Sequence, residues 1–212
     1  MIQISSAFDG GNAEVVKADR TDDIQLRIRK DSASDFFQWF YFKLSGVKGQ
    51  FCRIRLLNAG KASYADGFHG YRACVSEDLS DWRRVDTSYD GNELTIRHRP
   101  LSDSLYMAFF APYSLDQHQR FVAQCQKSPM CTCEVVGHSL EGRDLDLLTI
   151  GSLNPHKRVC WAIARQHPGE TMGSFWMEGF LGRLLDPEDA VAKDLLKSAV
   201  FFVVPNMNPD GS

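Results

Sequence analysis

The chain has 212 residues, with 24 Lys and Arg against 27 Asp and Glu, for a formal net charge of −3. Its 43% hydrophobic and 24% charged residues are an ordinary globular mix, which excludes a disordered chain, a collagen-like repeat and a coiled coil. The mildly acidic balance argues against a dedicated nucleic-acid binder, which would carry a basic domain or stripe.

From the N-terminus, the sequence MIQISSAFDGGNAEVV lacks the basic start and apolar run of a signal peptide. Beyond it, β-rich runs occur at Ile24–Arg29, Phe36–Leu44, Phe51–Leu57, Arg72–Ser76, Glu93–His98 and Leu105–Phe110. Turn signals separate them: Ser45-Gly46, Lys48-Gly49, Asn58-Ala59-Gly60, Asp66-Gly67 and Asp90-Gly91-Asn92. Short strands with such punctuation predict an all-β antiparallel sandwich, or a barrel, over residues 1–111. The arginine clusters Arg53/Arg55, Arg83/Arg84 and Arg97/Arg99 lie among these strands and read as solvent-facing positions. The block Trp39-Phe40-Tyr41-Phe42 would put aromatics on both faces of a strand. That predicts a central, covered strand; an aromatic platform for carbohydrate is the competing reading.

The pattern changes at Pro112. Ser114-Leu115-Asp116-Gln117 matches a capping box and opens a predicted helix from Leu115 to Gln126. A hairpin follows, Thr132–Gly137 and Asp144–Ile150, turning through Glu141-Gly142-Arg143. Val159–Ala164 is a continuous apolar run, the signature of a buried parallel strand. A helix is predicted from Thr171 to just before Pro187, a second helical piece over Pro187–Lys197, and another buried strand at Ala199–Val204. Strand, helix, strand is a βαβ unit, so residues 112–212 are expected to be α/β, a mixed or parallel sheet with helices. The longest apolar stretch, Ala199–Pro205, is far shorter than the about 20 residues needed to span a bilayer. A cytoplasmic protein without a membrane partner is expected. Six cysteines are too few for a disulfide scaffold. Cys131-x-Cys133 lacks the C-x₂₋₄-C spacing of a structural zinc site and reads as one face of a strand.

The stretch that carries chemistry is Arg165-Gln166-His167-Pro168-Gly169-Glu170. It falls at the carboxyl end of a predicted parallel strand, where open α/β sheets place their sites. Pro168 and Gly169 form a tight turn that can swing His167 and Glu170 to one point. A catalytic zinc takes three protein ligands, such as two His and one Glu, and leaves a position for water; this pair would supply two. Read without context, H-x-x-E is weak, and the bland reading leads: His167 as a loop residue and Glu170 as a helix N-terminal acid favoured by the dipole.

Three anchors give it context. Gly137-His138-Ser139-Leu140-Glu141-Gly142-Arg143-Asp144, the His167–Glu170 run, and Phe201–Val204 leading into Pro205-Asn206-Met207-Asn208-Pro209-Asp210-Gly211 resemble motifs of the M14 metallocarboxypeptidases in the same order. Phe37–Phe42, Val75–Trp82 and Ala111–Ser114 resemble the β-sandwich that precedes the catalytic domain in the cytosolic carboxypeptidase subfamily. The resemblance implies a zinc-dependent peptidase, one zinc per full-length chain, held in part by His167 and Glu170. It implies substrates that are peptide or protein C-terminal tails, often ending in glutamate, and no nucleic-acid partner. The family's third ligand (a histidine), its carboxylate-binding arginine and its general-base glutamate lie beyond the Asn-Pro-Asp-Gly turn. The 212 residues are therefore expected to hold no catalytic residue and no activity of their own. A non-catalytic interaction module with a vestigial peptidase half is the alternative.

Overall fold

Alternation of apolar and polar residues at period two builds the first half of the chain. The strands are β1 (Gln3–Ser5), β2 (Glu14–Lys17), β3 (Ile24–Arg27), β4 (Tyr41–Ser45), β5 (Cys52–Leu56), β6 (Cys74–Ser76), β7 (Arg83–Arg84), β8 (Asp86–Tyr89), β9 (Leu94–His98) and β10 (Ser104–Ala108). In β5, Cys52, Ile54 and Leu56 are fully buried, while Arg53 and Arg55 point the other way. Arg55 there bridges Asp23 and Glu93, each at 3.1 Å. The computed structural model describes all residues 1–212, and its chain divides into the units Met1–Pro112 and Tyr113–Ser212.

In the first unit the strands form two five-stranded sheets, ordered β1-β4-β10-β6-β7 and β2-β3-β5-β9-β8. Every pairing is antiparallel except β3 with β5. The inward residues of both sheets share one core, with Phe42, Leu44, Leu105 and Met107 from one and Leu26, Ile54, Leu94 and Ile96 from the other. This is a β-sandwich. The aromatic block behaves as a central strand should. Phe40 and Phe42 are fully buried in the core. Tyr41, on the opposite face, is covered by Phe8 at 4.8 Å, Trp82 at 6.0 Å and Tyr106 at 6.1 Å. Strand β4 itself starts only at Tyr41, later than the sequence pattern suggests. Strands β1, β2, β7 and β8 have no counterpart in that pattern. All four are sheet edges, and β7 and β8 are made of polar residues, Arg-Arg and Asp-Thr-Ser-Tyr, where burial does not impose a hydrophobic alternation.

His98 is a titratable residue on the core side of β9. The partly buried His98 has its Nε2 enclosed without a hydrogen-bond partner. Burial pushes its pKa down, Arg83 adds to this, and Glu77 opposes it. The folded state thus favours neutral imidazole, while the unfolded chain takes up the proton near about pH 6.5. Stability is full above that pH and is lost as pH falls. The urea midpoint is expected to be lower at pH 5.5 than at pH 7.5, and His98→Leu should shrink that difference. An equal drop in the variant would show that His98 carries none of it.

The second unit contains α1 (Leu115–Cys125), β11 (Cys131–His138), β12 (Asp144–Ile150), β13 (Arg158–Ile163), α2 (Thr171–Leu184), α3 (Ala190–Ser198) and β14 (Ala199–Val204). The sheet order is β11-β12-β14-β13, mixed, with β13 and β14 parallel. Ser114 caps α1 by accepting the Gln117 N–H at 3.1 Å. The other half of the capping box is not made, because the Gln117 side chain donates instead to Glu178 Oε1 at 3.4 Å. The helices bury Val122, Cys125, Met177, Leu181, Ala192 and Leu196 against Leu148, Ile150, Phe201 and Val203 of the sheet.

Strand β13 departs from the buried reading of its apolar run. It lies at the sheet edge, and on the face away from the helices Val159, Trp161 and Ile163 remain 59%, 64% and 48% exposed. Trp161 stacks on Phe202 at 5.0 Å. The run is apolar on both sides, yet in this chain only the Cys160 and Ala162 side meets the core. All six cysteines are free thiols. Burial pushes Cys125 up to about 12 and Cys133 up to about 11, so both stay protonated at neutral pH.

Candidate metal centre

The pairing of β13 with β14 continues one step past Ile163. The Ala164 N–H donates to Val204 O at 3.1 Å, and Ala164 O accepts the Met207 N–H at 2.9 Å. The next residue, Arg165, has a left-handed backbone with φ +55, and the chain leaves the sheet there. Residues 167–170 then close a turn, with the Glu170 N–H donating to His167 O at 3.0 Å. Pro168 occupies the second position of that turn, which its fixed φ favours. Glu170 is the N-terminal flanking residue of α2. Its Oε2 accepts the His167 N–H at 3.4 Å. The two predicted ligands are thus brought together at the carboxyl end of β13, and both are exposed.

Arg165 supports this turn from below. It is 4% exposed. Its Nε donates to Pro168 O at 3.1 Å, and its Nη1 donates to Ser174 Oγ at 3.1 Å and Tyr113 O at 3.4 Å. Burial lowers its pKa to about 10, which leaves it charged at neutral pH. Beside it, the Tyr113 hydroxyl donates to Glu178 Oε1 at 2.7 Å.

The other two motifs meet the same turn. The Asn208 Nδ2 donates to Gln166 O at 3.1 Å. Gly211 packs so closely that a Cβ there would lie 2.6 Å from Pro168 Cγ, so a side chain is excluded. Asp210 reaches back to the hairpin, accepting from Ser139 Oγ at 2.6 Å, Glu141 N at 3.1 Å and Arg143 Nη1 at 2.7 Å. These bonds, Ser139's first, hold the Asp210 carboxyl below the usual carboxylate range. The Asn-Pro-Asp-Gly turn is therefore a bracket between the hairpin and the H-x-x-E turn.

An exposed imidazole and an exposed carboxylate at one strand end are a donor set suited to zinc. They fit as part of a site: no group of three or more His, Cys, Asp or Glu is assembled to hold a metal ion. The remaining histidines have their own surroundings. His69 meets Tyr89 edge to face at 5.1 Å, His98 faces the sandwich core, and His118 is buried with Nε2 3.8 Å from Asp146. His138 Nδ1 lies 3.0 Å from Asp144, and His156 is exposed in a loop. The sequence assigns no role to Arg165 or to Glu178. The first carries one signal, a charged residue directly after an apolar strand; the second is hidden in the apolar pattern of α2.

Two family models match the chain. The one described as cytosolic carboxypeptidase N-terminal domain covers residues 4–110, and the one described as zinc carboxypeptidase covers residues 119–212. An uncharacterised protein of Zymomonas mobilis is 48% identical over 211 residues, 100% of this chain and 54% of its own length. Cytosolic carboxypeptidase 2 of Danio rerio is 29% identical over 242 residues, 99% of this chain and 33% of its own. A metallo-carboxypeptidase from Burkholderia cenocepacia superposes with a TM-score of 0.97 at 42% identity, covering 100% of this chain and 57% of that one. A metallo-carboxypeptidase from Pseudomonas aeruginosa, solved in complex with (2-guanidinoethylmercapto)succinic acid, superposes with a TM-score of 0.94 at 39% identity, covering 99% and 56%. The chain spans about half the length of the first of these relatives. No helix in it is long and apolar enough to cross a membrane. With both of its halves matched and its three motifs joined around one turn, the chain belongs to the M14 zinc carboxypeptidase family, in the cytosolic carboxypeptidase branch.

Proposed function

We propose that these residues form the front part of a cytoplasmic, zinc-dependent carboxypeptidase that removes C-terminal residues from peptides or protein tails. The observation that carries this reading is the closed His167–Glu170 turn at the end of β13, bracketed by Asp210 and Gly211. His167 and Glu170 are the two zinc ligands this chain supplies. When bound, zinc polarises the scissile carbonyl and lowers the pKa of its water to about 7. The chain's own residues hold and orient: Pro168 and Gly169 shape the turn, Asn208 fixes Gln166, and Asp210 ties the hairpin to the turn. The third ligand, the proton-accepting glutamate and the arginine that clamps the substrate carboxylate come from outside these 212 residues.

For the terminal residue, glutamate is the first choice, from the resemblance to the cytosolic branch. A second reading has its own observation. The ligand of the Pseudomonas aeruginosa relative joins a guanidinium to a dicarboxylic acid, chemistry that also resembles a C-terminal arginine.

Turnover decides. A polypeptide read through the coding sequence past Ser212 is expected to release glutamate from Glu-ending peptides faster than arginine from Arg-ending ones, with a chelator abolishing release. The 212 residues by themselves are expected to release neither. Faster arginine release would select the second terminal residue. Chelator-sensitive release by the 212 residues alone would overturn the placement of the missing groups.

A further inference from the structure

Arg165 is the one arginine of the chain that is buried. It stands two residues ahead of His167, and its backbone is in the left-handed region, at φ +55. A side chain bearing a Cβ avoids that region unless its surroundings hold it there. All three hydrogen bonds of its guanidinium go to neutral oxygens: Pro168 O, Ser174 Oγ and Tyr113 O. A buried charge without a contacting carboxylate is costly, and a backbone outside its favoured region adds to that cost. Packing does not explain the buried charge, since an apolar side chain would fill the space without it.

The three bonds have a common result. Tyr113 lies just ahead of α1, Ser174 is in the first turn of α2, and Pro168 lies inside the turn whose ends are His167 and Glu170. The fork joins that turn to two fixed segments at once. The turn's own closing bond, from Glu170 N–H to His167 O at 3.0 Å, sets its ends but leaves the Pro168 carbonyl free. Arg165 Nε occupies that carbonyl. A guanidinium can serve three acceptors in different directions from a planar, rigid fork, whereas a lysine ammonium on a flexible stem cannot reproduce the arrangement.

We propose that Arg165 is the positioning residue of the His167–Glu170 pair: it holds the turn so that imidazole and carboxylate are presented ready-arranged. This rests on the reading of His167 and Glu170 as zinc ligands. Its contribution is preorganisation, of the kind that partners behind metal ligands supply, where loss costs roughly 10–100-fold in metal affinity.

The test separates the guanidinium from the backbone. Arg165→Gly accepts the left-handed φ without a penalty and removes only the fork. In that variant the Glu170 amide is expected to exchange with solvent about 10-fold faster or more, while the Phe201 and Val203 amides of β14 keep their rates. Zinc affinity of the polypeptide read past Ser212, measured by competition with a chromophoric chelator, is expected to fall roughly 10–100-fold. Added guanidinium ion at millimolar concentration is expected to recover part of both losses, and Arg165→Lys is expected to recover neither. Unchanged Glu170 exchange with unchanged zinc affinity would overturn the proposal. So would an equal acceleration at Phe201 and Val203, which would mark Arg165 as merely stabilising. His167→Ala keeps the two claims apart: it should lose zinc and leave Glu170 exchange near its original rate. If the polypeptide read past Ser212 takes up no zinc, the ligand reading fails, and the exchange rates alone judge the hold of Arg165 on the turn.

Discussion

In a polypeptide read through the coding sequence past Ser212, His167→Ala and Glu170→Gln are each expected to lower zinc affinity by more than about 100-fold, beyond the roughly 10–100-fold that follows loss of a partner behind a ligand. Each variant removes one of the two donors that these 212 residues supply, and no neighbouring group among them is placed to replace it. Neither change should unfold the protein. Both side chains are exposed, and the bond that closes the turn runs between backbone atoms. Glutamine also keeps an oxygen that can accept the His167 N–H, as Glu170 Oε2 does at 3.4 Å. The substitution therefore isolates the carboxylate's charge from its shape. His138→Ala is the internal control: His138 pairs with Asp144 at 3.0 Å and should leave zinc unchanged. Competition titration with a chromophoric chelator measures all three. Unchanged affinity in both His167→Ala and Glu170→Gln would refute the ligand assignment. Loss in His138→Ala equal to theirs would show that zinc is bound elsewhere.

The parts of this site that local chemistry dictates were legible in the sequence. Ala199–Val204 is apolar on both faces, and it is a central strand with those bounds. Pro168-Gly169 between His167 and Glu170 announced a turn, and the turn is closed by a hydrogen bond. Ser114 announced the start of α1. What depends on distant partners was not legible. Asp210 binds Ser139, 71 residues earlier. Each belongs to a recognisable motif, but nothing in either motif says that they touch. Gln117 looked like the second half of a capping box, and its side chain was taken by Glu178, 61 residues away. Arg165 looked like a residue at a strand end, and its bonds to Tyr113 and Ser174 exist only once two helices have packed. Strand β13 shows the same limit from the other side, since its sequence cannot say which of its apolar faces the rest of the chain will cover.

That last point sets up a pair of stability measurements. Phe42→Ala is expected to destabilise the chain by about 3–5 kcal/mol, the usual cost of emptying a buried aromatic site. Phe42 is fully buried on β4, which is paired on both sides by β1 and β10. Its ring lies 6.5 Å from that of Phe40, in the core that both sheets share. The strands around such a site are tied into ladders and cannot collapse freely into the gap, so the cavity term adds to the lost transfer energy. Trp161→Ala removes a larger side chain, yet is expected to cost less than about 1 kcal/mol. At 64% exposure the indole gives up little on unfolding beyond its stack on Phe202, and surface substitutions rarely exceed about 0.5 kcal/mol. Urea midpoints with a shared slope read both values. A small cost for Phe42 would contradict the two-sheet core. A cost for Trp161 as large as that for Phe42 would mean that the open face of β13 is covered in solution, because an exposed indole has no other route to several kcal/mol.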